Sequence, residues 1–283
     1  MELNIIVFLA AFCGGVLGTA IGALPAFIFC GVTGLVSIGV IAAGGSDVFL
    51  GELAFGPLFG PHIVFAAGVA SAALAGNKKK LLGTGMDILT PLVKTKNLQV
   101  YFTGGIFGIL AYLANMIFIR LGLPVDTVAM SVFTSNVVAR YAFGTSGMFG
   151  EFFNGRKTDK DKYAFVNLKL LAFNIFWSFI IGFLICYIIH TTGISIFFGF
   201  CLSATLLIFL QMGFEFPVTH HITLVAAYGY AASGSIFIGG LFGILAHLVG
   251  EMVNNTMNSY GDTYIDPPGA TIFICSALIF TFM

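Results

Sequence analysis

Charge is scarce in this sequence. Only 8% of its 283 residues are Asp, Glu, Lys or Arg, where a soluble domain carries about 25%. That scarcity excludes an ordinary water-facing surface. Basic residues are missing altogether after Lys169, and the formal net charge is zero, so no nucleic-acid partner is indicated. The HExxH zinc motif and the GxxxxGK phosphate loop are both absent, so neither zinc hydrolysis nor ATP-driven pumping is expected on this chain. The five cysteines (Cys13, Cys30, Cys186, Cys201 and Cys275) lie in apolar runs without metal-ligand spacing and read as small hydrophobes. No metal and no cofactor is expected.

What the chain has in quantity is apolar length. It is 58% hydrophobic and holds 32 phenylalanines, and runs of about 20 apolar residues, enough to cross a bilayer, recur along it. Ten candidate spans follow from the runs and their breakers: roughly 4–22, 25–43, 58–76, 99–119, 124–142, 169–190, 194–213, 218–235, 237–256 and 267–283. The fold class is therefore an all-α polytopic membrane protein of about ten helices, with residues 1–283 forming one membrane domain. Met1-Glu2-Leu3-Asn4 carries no basic residue, so a cleaved signal peptide is not expected.

Lys78, Lys79, Lys80, Lys94 and Lys96 follow the third span; Arg140, Arg156, Lys157, Lys160 and Lys162 mark the end of the fifth and the loop after it. The ten-span count puts both loops on one side. The positive-inside rule makes that side cytoplasmic, which places the protein in the plasma membrane with both termini outside.

The sequence also repeats itself. Residues 104–113 read GGIFGILAYL and residues 239–248 read GGLFGILAHL, with eight of ten positions identical. The flanks are colinear. PHIVFAAGVASAALAG (61–76) resembles HHITLVAAYGYAASGS (220–235), which sets His62 opposite His221. Val125-Asp126 is matched later by Ile265-Asp266. Residues 1–142 and 169–283 thus read as two five-helix repeats joined by a cytoplasmic linker, 143–168. An odd number of spans between matched helices makes the repeats inverted, the plan of many secondary transporters.

Ionisable groups at membrane depth mark candidate sites. Gly45 to His62, with Asp47, Glu52, Pro57 and Pro61, is too apolar for a plain loop and is expected to dip back into the membrane. Glu215, His220 and His221 form its counterpart, and histidine can shuttle protons or hydrogen-bond a solute. Asp126 and Asp266 each begin the last span of a half. They are candidate solute or ion ligands and equally good helix caps. Ser135 and Asn136 follow Asp126 inside its span as further oxygen donors. His247 and Glu251 share a helix face, and Thr84 to Pro91 reads as a polar loop carrying Asp87. Gly144-Thr145-Ser146-Gly147 with His247 superficially resembles the pairing of intramembrane serine proteases. Nucleophile and base must meet within hydrogen-bond reach, and Ser146 sits at a charged loop far along the chain from His247, so no enzyme is expected.

The function these features indicate is secondary transport of a small polar or anionic solute, coupled to protons or sodium. The candidate ligands are His62, His221, His220, Glu215, Asp126, Asp266, Asn136 and Ser135. A passive channel for a neutral solute and a non-transporting subunit of a membrane complex are the alternatives. The partners implied are the solute or ion and the lipid bilayer, and a homo-oligomer is compatible with the sequence.

Overall fold

Backbone amides and carbonyls in such apolar segments have no water to bond, so each segment must satisfy them internally, and the α-helix does this within one stretch of chain. The computed structural model describes residues 5–150 and 169–283; they are mostly helical, without a β-strand among them. The helices are α1 (Ile5–Ile21), α2 (Ala23–Ala42), α3 (Ala66–Ala73), α4 (Leu98–Arg120), α5 (Thr127–Phe143), α6 (Leu171–Thr192), α7 (Phe198–Leu206), α8 (Ile208–Gln211), α9 (His220–Ser233), α10 (Ile236–Val253) and α11 (Pro267–Phe282). Wider π-helical turns extend α3 at both ends, over Pro61–Phe65 and Leu74–Lys78, and extend α10 over Asn254–Asn258.

Among the described residues four helical stretches are long and apolar enough to cross a membrane: Ala23–Ala42, Leu98–Arg120, Leu171–Thr192 and Ile236–Asn258. Ile5–Ile21, Phe198–Gln211 and Pro267–Phe282 are apolar but shorter. Breakers visible in the sequence set the ends. Gly193 and Gly234 close α6 and α9 in the left-handed conformation, which glycine adopts without a Cβ clash. Asn97, Asp126, Ser235 and Asp266 cap α4, α5, α10 and α11 with their side chains. Most of the expected linker, with Arg156, Lys157, Lys160 and Lys162, lies outside the described residues.

The outward faces are as apolar as the core. Phe102, Ile106, Leu110 and Ile117 line one exposed face of α4, and Phe173, Phe176, Ile180, Leu184 and Tyr187 line one of α6. In water such stripes would be an extended apolar patch; they are compatible with helix faces that meet lipid.

The two GGxFGILAxL helices are used alike. On α4, Gly104 and Gly108 meet Thr19, Gly15 and Ala11 of α1. On α10, Gly239 and Gly243 meet Cys186, Gly182 and Ser178 of α6. Both pairs run antiparallel. A Cβ on Gly15 would collide with the Gly104 carbonyl, so close backbone approach explains glycine there, as in other lipid-embedded helix pairs. Between these pairs α5 packs on α11, and α2 packs on α7.

The segment Gly45–His62 divides. Asp47 and Glu52 are exposed, while Ala54, Gly60, Pro61 and His62 are buried. The Cys30 thiol donates to the Ala54 carbonyl at 3.1 Å, and Pro57 abuts Gly14 of α1. The expected inward dip therefore belongs to its second part, and its two carboxylates stay at the surface.

Candidate functional site

A cavity of about 390 Å³ lies between residues of the first and second halves. Phe27, Phe55, Pro61, Phe65, Val125–Ala129 and Val132 wall it from one side; Phe197, Phe200, His220, Leu224, Tyr228, Asp266, Gly269, Ile272 and Phe280 wall it from the other. The floor is aromatic. Phe27 packs on His220, Phe200 and Phe65 with ring centroids 4.7, 5.6 and 5.7 Å away. Phe55 adds contacts to Phe197 and Phe200 at 5.2 and 6.0 Å. Among the described residues no lysine or arginine lines the cavity.

Its polar side chains are those of Asp126, Asp266, His220, Tyr228 and Thr127. Asp126 Oδ1 accepts from the Ala129 amide at 2.8 Å, and Oδ2 accepts from the Tyr228 hydroxyl at 2.7 Å. Asp266 Oδ2 accepts from the Gly269 amide at 2.7 Å, and the Tyr264 hydroxyl is its side-chain partner. Each aspartate is thus both a cap and a cavity wall, so the two readings of these residues coexist. Their backbones are cross-braced. The Asp126 amide donates to Ser276 Oγ on α11 at 2.8 Å, and the Asp266 amide donates to Asn136 Oδ1 on α5 at 3.0 Å. Each acceptor stands ten residues beyond the aspartate of its own half.

A second cavity of about 70 Å³ lies beyond the first. Phe27, Phe65, His220 and Asp266 border both cavities. Ile88 and Leu89 form part of the smaller cavity's wall. Their segment is pinned there: the Ile88 carbonyl accepts from the Leu24 amide at 2.9 Å, and the Leu89 carbonyl accepts from Gln211 Nε2 at 3.1 Å. Asp87 turns its own Oδ1 onto the amides of Leu89 and Thr90, a local turn-forming role.

Of the predicted ligands, Asp126, Asp266 and His220 come together at the cavity. His62 does not line it; it is buried, with Nε2 at 3.5 Å from Asn115 Nδ2. Buried His221 lies beside Gly250 and Thr271, also off the cavity. Glu215 is exposed on the connection between α8 and α9. Asn136 braces Asp266, and Ser135 is buried without a protein partner for its hydroxyl. The symmetry-matched histidines therefore do not converge; the neighbour of one of them, His220, holds the site.

Tyr228 and the six phenylalanines are site residues that sequence reasoning missed. The signal for Tyr228 was its place one helical face along α9 from His220 and Leu224. A second missed cluster lies at the far end of α5. Arg140 is 1% exposed. Its guanidinium donates to Thr263 Oγ1 at 2.9 Å, to the Met148 carbonyl at 3.1 Å, and to the carbonyls of Met257 and Thr263. Asp262 beside it accepts from the Thr145 amide and hydroxyl at 2.7 and 2.9 Å and from Ser146 Oγ at 2.7 Å. Partial burial pushes the Asp262 carboxyl up, but these hydrogen bonds outweigh it and hold it below the usual value of 3.8. Ser146 is thus committed to a structural bond. Arg140 stands in the last turn of α5, at the end of the fifth expected span, and is enclosed by the connection between α10 and α11.

Residues 1–159 and 172–282 match a family of unknown function, DUF7973, and the chain belongs to that family. No curated protein and no solved structure matches the chain.

Proposed function

We propose that this chain is a secondary transporter for a small polar solute, coupled to protons or sodium. In this reading it has ten spans arranged as two inverted five-helix repeats, resides in the plasma membrane and has both termini outside. The observation that carries the proposal is the pair of cavities. Phe27, Phe65, His220 and Asp266 border both a solute-sized chamber walled by both halves and a separate, smaller one. A continuously open pore would join the two. A carrier that exposes its site to one side at a time keeps such a division.

The inverted plan is supported by the equivalent antiparallel use of the two glycine-rich helices and by the reciprocal braces from Asp126 to Ser276 and from Asp266 to Asn136. Transporter sites of this plan lie where the repeats meet. Two carboxylates and, among the described residues, no lysine or arginine at the cavity weigh against an anionic solute.

A line of titratable groups favours protons over sodium as the coupling ion. His220 touches the cavity, and its ring centroid is 5.8 Å from that of His221. His221 lies within electrostatic reach of His247, and His247 of Glu251. Glu251 accepts a hydrogen bond from Asn174 of α6 at 3.2 Å.

The test is uptake into proteoliposomes under imposed proton, sodium or potassium gradients. Saturable accumulation driven by the proton gradient is expected. Flux that does not saturate and varies little with temperature would identify a passive channel. No flux, together with a stably co-purifying partner, would identify a non-transporting subunit.

A further inference from the structure

We propose that the solute held in the larger cavity is a small organic cation, an alkylammonium ion, with its charge between Asp126 and Asp266 and its carbon groups against the rings of Phe27, Phe65 and Phe200. The inference deepens the transport reading and rests on it for the word solute; the binding site itself stands on four observations.

The first is charge. Two carboxylates line the cavity, and among the described residues no lysine or arginine does. Their hydrogen-bond partners are backbone amides and two tyrosine hydroxyls, all neutral. A carboxylate withdrawn from water either takes up a proton or is paired by a cation, and the proposed ligand supplies the second. The second is the wall. Aromatic faces attract a cation through their quadrupole and tolerate its alkyl groups. A bare metal cation takes several oxygen ligands at short range instead, and this wall consists mostly of rings. The third is size. A volume of about 390 Å³ falls within the range of small-molecule pockets, roughly 300–1,000 Å³, far more than one desolvated ion fills. The fourth is His220. It is 5% exposed, lines the cavity, and its Nδ1 has no protein partner. That nitrogen can bond the N–H or hydroxyl of an ammonium compound.

The experiment is titration calorimetry on the full chain in detergent, at constant ionic strength, with the chlorides of tetramethylammonium, choline and benzyltrimethylammonium. The comparison ligands are 3,3-dimethylbutan-1-ol, the uncharged carbon analogue of choline, and sodium 3,3-dimethylbutanoate. Saturable binding of at least one ammonium ion is expected. For choline, the alcohol should bind at least tenfold more weakly and the carboxylate not at all. Asp126→Asn and Asp266→Asn should each weaken ammonium binding at least tenfold, and both keep the cap because asparagine serves there as well as aspartate. Phe200→Leu leaves the charges in place and should weaken it about threefold while leaving the alcohol's affinity unchanged.

Equal affinity for choline and the alcohol would overturn the proposal, as would ammonium binding indifferent to both aspartate variants. So would displacement by equimolar sodium, or no saturation by any of the three ions in the millimolar range. Failure of the transport reading looks different. Ammonium binding without flux would leave the site standing and remove the transporter. Saturable flux of a neutral or anionic solute without ammonium binding would leave the transporter and remove the cation site.

Discussion

Helix α5 ends in two contrasting environments. At its N-terminal end Asp126 is a carboxylate beside open volume, held by one amide, one phenol and a crossing bond to α11. At its C-terminal end Arg140 is a guanidinium without open volume, gripped by the 257–263 connection on several sides. Both are ionisable groups at the ends of an apolar helix, and the sequence marks them alike. The difference lies in what each charge is asked to meet. Arg140 finds its partners within the protein, so its role is to fix the chain. Asp126 and its counterpart Asp266 keep a face toward a cavity, so part of their interaction capacity remains for something that comes and goes.

Removing the gripped charge should have the largest effect. Arg140→Met leaves buried carbonyls of Met257 and Thr263 without donors, and losing a buried charged hydrogen-bond partner costs about 3 kcal/mol or more. A thermal-melt series in detergent should register this as a large fall in melting temperature, with solute binding in the surviving folded fraction little changed. A mutant that melted like wild type yet bound no solute would invert the contrast between the two ends.

The next largest effect sharpens the difference between two buried histidines, one on the cavity and one off it. His220→Gln should reduce transport about tenfold or more, because His220 lines the cavity. His62→Gln keeps a polar group near Asn115 away from the cavity and should change transport less than about twofold; each tenfold corresponds to about 1.4 kcal/mol. Equal losses would mean that the repeat-matched position, not the cavity lining, defines the site. Third, Asp126→Ala should cost about 1 kcal/mol more stability than Asp126→Asn, since only alanine abolishes the cap; paired melts measure it. If the two were equally stable, the cap would be idle and the carboxylate purely functional.

The smallest effect concerns acid. The Asp262 carboxyl is held below 3.8, so the folded state favours its charged form. The stabilisation is fully present above pH about 4 and is lost as the pH falls through the depressed value. A half-exposed group of this kind contributes little. Wild type should therefore exceed Asp262→Asn slightly in melting temperature near neutral pH, and the gap should close in strong acid.

The helical, apolar character of the chain was legible because its helices are strongly apolar and bounded by conspicuous breakers such as Gly193 and Gly234 at helix ends and Pro267 at a helix start; the number of helices long enough to cross a membrane is four among the described residues. The aspartate pair was legible for a related reason: a lone carboxylate stands out where charge is rare. The orientation of side chains was not. Alignment of the repeats pairs His62 with His221, yet a matched position says nothing of which face meets a cavity, and the residue next to His221 turned out to face it. Nor could six cavity phenylalanines be distinguished among 32, because rings facing outward, core or cavity obey the same composition. The enclosure of Arg140 at the end of its helix was not legible, because only tertiary structure brings Thr263 and Met257 to it. Asp262 went unremarked because its chain connection reads as an ordinary turn.

The glycine seams carry a mechanical consequence. Where Gly15 meets Gly104, and Gly182 meets Gly243, backbone lies against backbone, leaving no side-chain layer to flex or slide. Packed interiors of this kind deform little and tend to move as blocks. Each antiparallel pair, α1 with α4 and α6 with α10, is therefore a stiff plank. Any change in which chamber is open must fall to the joints between planks, where α5 and α11 cross and a single hydrogen bond ties each aspartate amide to the opposite helix.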